Sequence, residues 1–275
     1  MIIDSHFHLW RLSRGDHGWL TPDLGPLYRD FEPEEAAALM AANGVSGGVV
    51  VQAAETEAET AFLLELAERH GFILGVVGWT DFASSDAPAA IARLAKHPKL
   101  KGLRPMLQDL DDDDFILRPE AEAALSAVEA QGLAFDALAR PRHLSRLVKV
   151  RERHPGLKMV VDHGAKPDIA GGAWEPWASD LAAVAADGAT CCKLSGLVTE
   201  AGADWTLERI APYAAHILKV FGPERVMWGS DWPVVTLAGD YGGWVGAAWT
   251  LFGRLVLKER DMVLCGTARR LYGAG

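Results

Sequence analysis

Cysteine is scarce and poorly placed for cross-linking: the chain has three, Cys191, Cys192 and Cys265, two of them adjacent. An odd number without regular spacing gives no disulfide framework, and the lack of a C-x-x-C pair removes a thiolate zinc site. No apolar run approaches the ~20 residues that span a bilayer. The N-terminal MIIDSHFHLW has neither the basic start nor the apolar stretch of a secretory signal, so the expected setting is the cytoplasm. Positive charge is also short, with 27 Lys and Arg against 37 Asp and Glu and a formal net charge of −10. A surface of that sign repels phosphate backbones and anionic lipid, so nucleic acid and membrane are not expected partners. There is no G-x-G-x-x-G, no P-loop, no internal repeat and no linker-like stretch.

What is present is the mix of an ordinary globular protein, 49% hydrophobic and 23% charged over 275 residues. That mix excludes disorder, collagen and coiled coil as the main architecture. Short apolar runs without polar alternation recur at Met1–Asp4, Gly48–Gln52, Ile73–Val77, Lys101–Leu103, Leu133–Phe135, Lys158–Val161, Thr190–Leu194 and Arg225–Trp228. Such runs suit strands buried on both faces of a parallel sheet. Between them lie helical stretches rich in Ala, Leu and Glu: Pro33–Ala42, Glu57–His70, Ala87–His97, Pro119–Gln131, Pro141–His154, Trp174–Ala186, Thr206–Phe221 and Tyr241–Leu257. Eight strands alternating with eight helices predict an α/β fold, one (β/α)8 TIM-type barrel domain over residues 1–275. An open doubly wound sheet is the structural rival. After the first strand, Leu9–Phe31 carries Trp10, Trp19 and Tyr28 in a segment long enough to act as a lid or binding element. The one charge run, Asp109–Asp114, lacks calcium-loop spacing and is expected to be a solvated loop.

In a barrel the catalytic groups stand at the C-terminal ends of strands. Those positions hold His6 and His8, Gln52, Trp79 and Asp81, Arg104 with Gln108 behind it, Asp136, Asp162-His163, Lys193 with Ser195, and Gly229-Ser230-Asp231-Trp232. Each has a plainer reading. Asp231 could cap the turn that follows it, Arg104 could sit on the surface, and Lys193 could pair with a neighbouring acid as structure. The alternating His6 and His8 direct both imidazoles to one side of a strand, which metal or carbonyl binding requires. Trp10, Trp79 and Trp232 would place aromatic faces at the mouth, suited to a sugar-like ligand. His143 reads as a helix-start residue, and His17, His70, His97, His154 and His216 as surface or helix-end residues without a role.

HFHLW, KGLRP, VVDHGAKP, CKLSG and WGSDWP, in that order, resemble the amidohydrolase superfamily. More narrowly they are similar to its sugar-lactonase branch of L-fuconolactonases, L-rhamnonolactonases and 2-pyrone-4,6-dicarboxylate lactonases. GWLTPDLGPLYRDF and PRHL are closest to the fuconolactonase-like group. The resemblance runs over nearly the whole chain and is far more specific for fold and branch than for substrate. It implies a hydrolase that opens an aldonolactone to the free acid, L-fucono- or L-rhamnonolactone being favoured. His6 and His8 match the strand-one pair, His163 the strand-six histidine and Asp231 the strand-eight aspartate. Arg104 and Asp136 stand where metal-dependent members carry a lysine or acid and a histidine, which argues against a binuclear centre. One divalent ion, zinc or manganese, on His6, His8 and Asp231 stays open, as does catalysis without metal.

The expected mechanism has Asp231 take a proton from the attacking water, with its pKa raised toward neutrality by partial burial. His6, His8, His163 or a metal would meet the oxyanion, and Arg104 would hold ring or exocyclic oxygens. Gln52, Trp79, Asp136, Lys193 and Trp232 would bind substrate. Two alternatives are a metal-dependent non-oxidative decarboxylase and a barrel that only binds sugar acids. The oligomeric state is open.

Overall fold

The computed structural model describes residues 1–274. Eight strands follow in chain order: β1 (Ile2–Phe7), β2 (Val45–Val51), β3 (Ile73–Gly78), β4 (Leu100–Leu103), β5 (Ala134–Ala137), β6 (Lys158–Val161), β7 (Cys191–Leu194) and β8 (Val226–Trp228). Every neighbouring pair from β1 to β8 is parallel. The ring closes where β1 meets the segment after β8. His8 N donates to Trp232 O at 2.7 Å and Asp231 N to His6 O at 2.8 Å. The first strand runs three residues beyond the expected end at Asp4, to Phe7, which puts His6 inside β1. The architecture is the predicted (β/α)8 barrel.

The return helices are α1 (Pro33–Ala42), α2 (Glu57–Arg69), α3 (Ala87–Leu94), α4 (Pro119–Ala130), α5 (Leu144–Arg153), α6 (Trp177–Ala185), a short α7 (Leu197–Ala201), α8 (Leu207–Phe221) and α9 (Tyr241–Leu251). Their starts follow local chemistry. Proline occupies the first helical position of α1 and α4, where no backbone N–H is needed. Thr56, Thr206 and Asp240 accept backbone N–H groups at the starts of α2, α8 and α9. Pro141–His143 forms one tight turn ahead of α5, with His143 accepting from Arg140 N at 3.0 Å, so this histidine is the expected helix-start residue.

The sequence reading ended at α9, whereas the chain continues through α10 (Leu257–Asp261), a π turn and α11 (Thr267–Tyr272). Ala268, Tyr272 and Ala274 join Ile3, Val49, Val77, Val160 and Met227 in one buried cluster that fills the lower barrel. Apolar side chains thus plug one end, and the polar groups gather at the other. No helix among the described residues is long and apolar enough to cross a membrane.

Candidate active site

Two irregular turns put the reactive groups in place. After β6, His163, Gly164, Ala165 and Lys166 lie in the left-handed region, with φ of 54, 57, 61 and 52°. Non-glycine residues adopt that conformation at a cost of about 1–2 kcal/mol each, so the surroundings must hold it. Trp177 Nε1 donates to Gly164 O at 2.7 Å, and Lys166 N to His163 O at 2.9 Å. A Cβ on Gly164 would meet Ile217 at 2.6 Å. Asp231 also has φ of 57°. Its neighbour Ser230 donates its N–H to Asp4 Oδ1 at 2.8 Å, and Asp4 also accepts from His6 N at 3.1 Å and Tyr241 Oη at 3.1 Å. Asp4 therefore ties β1 to the loop after β8. Burial pushes its carboxyl up to about 6.

Three imidazoles surround Asp231. Its Oδ1 is 3.3 Å from His8 Nε2, 3.6 Å from His6 Nε2 and 3.9 Å from His163 Nε2. Their other nitrogens are held from behind. His8 Nδ1 donates to Val51 O at 2.8 Å, His163 Nδ1 meets Ser195 Oγ at 2.8 Å, and His6 Nδ1 lies 3.2 Å from Lys193 Nζ. Burial by itself would raise the Asp231 pKa. The charge of His163, the hydrogen bond to His8 and the charges of His6 and His8 outweigh it and hold the carboxyl below its usual range. This corrects the expected shift toward neutrality: the imidazole ring overrides burial. Burial lowers His163 to about 4 and, with Lys193 beside it, lowers His6 as well.

Beneath this ring lies a buried ionic cluster. Lys193 Nζ donates to Asp136 Oδ2 at 2.6 Å and lies 3.1 Å from Asp162 Oδ1, while Tyr272 Oη donates to the same Asp136 oxygen at 2.7 Å. Arg104 Nη2 donates to Gln52 O and, at 2.9 Å, to Gln52 Oε1; its Nη1 reaches Asp162 Oδ2 at 3.4 Å. Gln52, Asp136 and Lys193 are wholly buried. None of the three lines the cavity, and in place of the expected hydroxyl contacts they hold Arg104 and His6 from below.

Above the ring opens a cavity of about 300 Å³ lined by His8, Arg104, His163 and Asp231 together with Trp19, Met106, Leu138 and Lys166. Trp232 and Trp10 are buried to the side, each edge-on to Phe31 with ring centroids 5.2 and 5.1 Å away. Trp79 is half-buried and outside the lining. The aromatic wall is Trp19, from the long segment after β1, whose Nε1 donates to Ala53 O at 2.7 Å. His17, expected at the surface, is buried there: its Nε2 is 2.8 Å from Glu59 Oε1, and Glu59 Oε2 accepts from Ala53 N and Ala54 N. In the acidic run, Asp112, Asp113 and Asp114 pair with Arg118, Arg142 and Arg146 at the surface, but Asp109 reaches the cavity rim. Lys166 was missed, although its place in DHGAKP directly after a strand-end histidine was a signal. A larger groove of about 800 Å³ opens beside Gly188 and Gly222–Arg225, which precede β7 and β8. It lies at the N-terminal end, where barrels of this type do not build active sites.

The donor set suits a divalent ion. Val51 O can only accept, so His8 donates to it from Nδ1, and in the neutral imidazole Nε2 then turns a lone pair toward an equally acceptor-only Asp231 oxygen. Two buried acceptors at that range call for a cation or a proton between them. Ligands about 2.1 Å from a tetrahedral metal lie about 3.4 Å apart, close to the spacings around Asp231. His6, His163 and Asp231 present donor atoms within 4.8 Å of one another, so His163 joins the expected set of His6, His8 and Asp231.

The amidohydrolase family model matches residues 3–274. The chain is 48% identical over 250 residues to an L-fucono-1,5-lactonase of Burkholderia ambifaria, covering 90% of this chain and 86% of that protein. It is 37% identical to an L-fucono-1,5-lactonase of Burkholderia multivorans over 98% and 95% of the two chains. A crystal structure of an amidohydrolase from Burkholderia multivorans with bound zinc superposes with a TM-score of 0.94 at 35% identity, over the full length of both. With its model matched from end to end, the chain belongs to the amidohydrolase family.

Proposed function

We propose that the protein hydrolyses a sugar-acid lactone to the free acid, with L-fucono-1,5-lactone as its first substrate. The observation that carries this reading is that two L-fucono-1,5-lactonases share the chain over most of their length. The cavity supports it chemically, because a carboxylate ringed by imidazoles beside a fixed guanidinium suits water attack on a carbonyl.

Asp231 takes a proton from water as the water oxygen bonds to the lactone carbonyl carbon. Held below the usual carboxylate range, Asp231 is ionised at every physiological pH. It is then a modest base that is always available, and once protonated a strong acid. Collapse of the tetrahedral intermediate breaks the bond to the ring oxygen, and Asp231 returns its proton to that alkoxide. The imidazole of His163 and the charge of Arg104 stabilise the oxyanion, while His6 and His8 hold the Asp231 carboxylate in place. Gln52, Asp136 and Lys193 position these groups from below, and neither Trp232 nor Trp79 lines the cavity. His6, His8, His163 and Asp231 would hold a zinc or manganese ion, which when bound polarises the lactone carbonyl.

The test is acid release from a panel of aldonolactones (L-fucono-, L-rhamnono-, D-arabinono- and L-galactono-), using chelator-stripped protein with and without added zinc or manganese. Rapid opening of L-fucono-1,5-lactone is the expected result. No turnover of any lactone under either condition refutes the reading.

A further inference from the structure

The sequence reading gave the sugar oxygens to Arg104, and the structure leaves that side chain little freedom. Arg104 is 3% exposed, with Nη2 engaged twice by Gln52 and Nη1 lying 3.4 Å from both Asp162 Oδ2 and His6 Nε2. Its positive charge faces the cavity, but its hydrogen bonds run back into the protein. The other cation lining the same cavity is Lys166. Among the described residues it pairs with Glu200 on α7, with Nζ and Oε1 3.7 Å apart, which is long for a hydrogen bond. The ammonium retains donors for a ligand.

The backbone at Lys166 strengthens the point. Bringing His163 to Asp231 explains the left-handed φ of His163, yet the strained turn continues through Ala165 to Lys166. Strain of this kind persists only where surrounding structure imposes it, and it concentrates at binding sites. The segment beyond is tied to α7 as well, where Ala170 N donates to Glu200 O at 3.1 Å. Around the barrel, β6 stands between β4 and β8, which places Lys166 to one side of the line from Arg104 to Asp231.

We infer that Lys166 is the substrate-binding cation of this cavity, its ammonium donating to a ring hydroxyl oxygen of the lactone while Glu200 orients it. The inference rests on the lactonase reading and adds a specificity-determining residue to it. A plain lactone without hydroxyls has nothing for this ammonium to hold. A sugar lactone with a hydroxyl at the right carbon does.

The experiment compares wild type with Lys166→Met on L-fucono-1,5-lactone and on its singly deoxygenated analogues, with circular dichroism and thermal unfolding as fold checks. Losing a charged hydrogen bond to substrate should lower kcat/KM for the full lactone about 10- to 100-fold, mostly through KM. For the analogue lacking the contacted hydroxyl, wild type is already slow and Lys166→Met adds no further loss. Lys166→Arg should restore part of the lost discrimination. Lys166→Gln replaces the methionine variant if that one does not fold. An equal loss on every analogue, or none on the full lactone, overturns the inference and leaves the lactonase reading standing. A wild type inactive on all these lactones removes both.

Discussion

His8 Nε2 lies 3.3 Å from Asp231 Oδ1, while its Nδ1 is fixed 2.8 Å from Val51 O. The backbone carbonyl of β2 thereby decides which nitrogen of a β1 histidine faces the candidate site, and in the neutral imidazole that nitrogen presents a lone pair to a carboxylate. Chelator-treated protein should accordingly take up one zinc ion per chain. Titration calorimetry should show His8→Gln and Asp231→Asn each weakening that binding by about tenfold or more. Full-affinity binding by both variants would contradict the assignment of these donors.

Asp231→Asn keeps the shape of the side chain, and asparagine tolerates the left-handed φ of 57° found here. The fold should survive, with a thermal midpoint close to wild type. Turnover of L-fucono-1,5-lactone should fall by about 10³-fold or more, because the amide accepts no proton from water. A variant with near-normal kcat would remove Asp231 from the base role.

Lys193 is a buried cation between two buried carboxylates. Lys193→Met leaves Asp136 and Asp162 without it, and breaking a buried ion pair from one side costs about 3–5 kcal/mol. Urea unfolding measures this directly. Adding Asp136→Leu should recover part of the loss, since removing both partners is far cheaper than removing one. If the double variant is weaker than the single one, the pair is not what stabilises this region.

Acid stability tests two opposed groups at and beside the candidate site. His163 is depressed to about 4. Its contribution is fully present above its ordinary value of about 6.5 and is lost as pH falls through about 4. Asp4 is raised to about 6, so its contribution is fully present below about 3.8 and is lost as pH rises through about 6. Each is worth on the order of 3 kcal/mol, and between pH 4 and 6 they oppose one another. His6, lowered as well, acts in the same direction as His163, so metal-free wild type should lose Tm on acidification there, but less steeply than a variant without the Asp4 carboxyl. Asp4→Asn, which removes one of the pair, should lose Tm steadily on acidification; parallel profiles would refute the balance.

The barrel was legible in the sequence because strands buried on both faces must be short and apolar, and the helices between them must open with proline or a capping side chain. His6, His8, His163 and Asp231 were legible for a related reason: a polar residue at the end of an apolar strand faces the barrel mouth. The C-terminal plug was not, since nothing local in Thr267–Tyr272 says that Tyr272 will meet Asp136, 136 residues earlier.

Composition, strand order and the mouth positions were thus determined by the chain alone, through local patterning. Only the tertiary structure decided the depth of each mouth residue. It sank Gln52, Asp136 and Lys193 beneath the cavity, tied Arg104 to them, and turned Lys166 outward on a left-handed turn. It also set the sign of the Asp231 shift, because desolvation and neighbouring charge act in opposite directions and their balance depends on distances fixed only when β1, β6 and β8 come together.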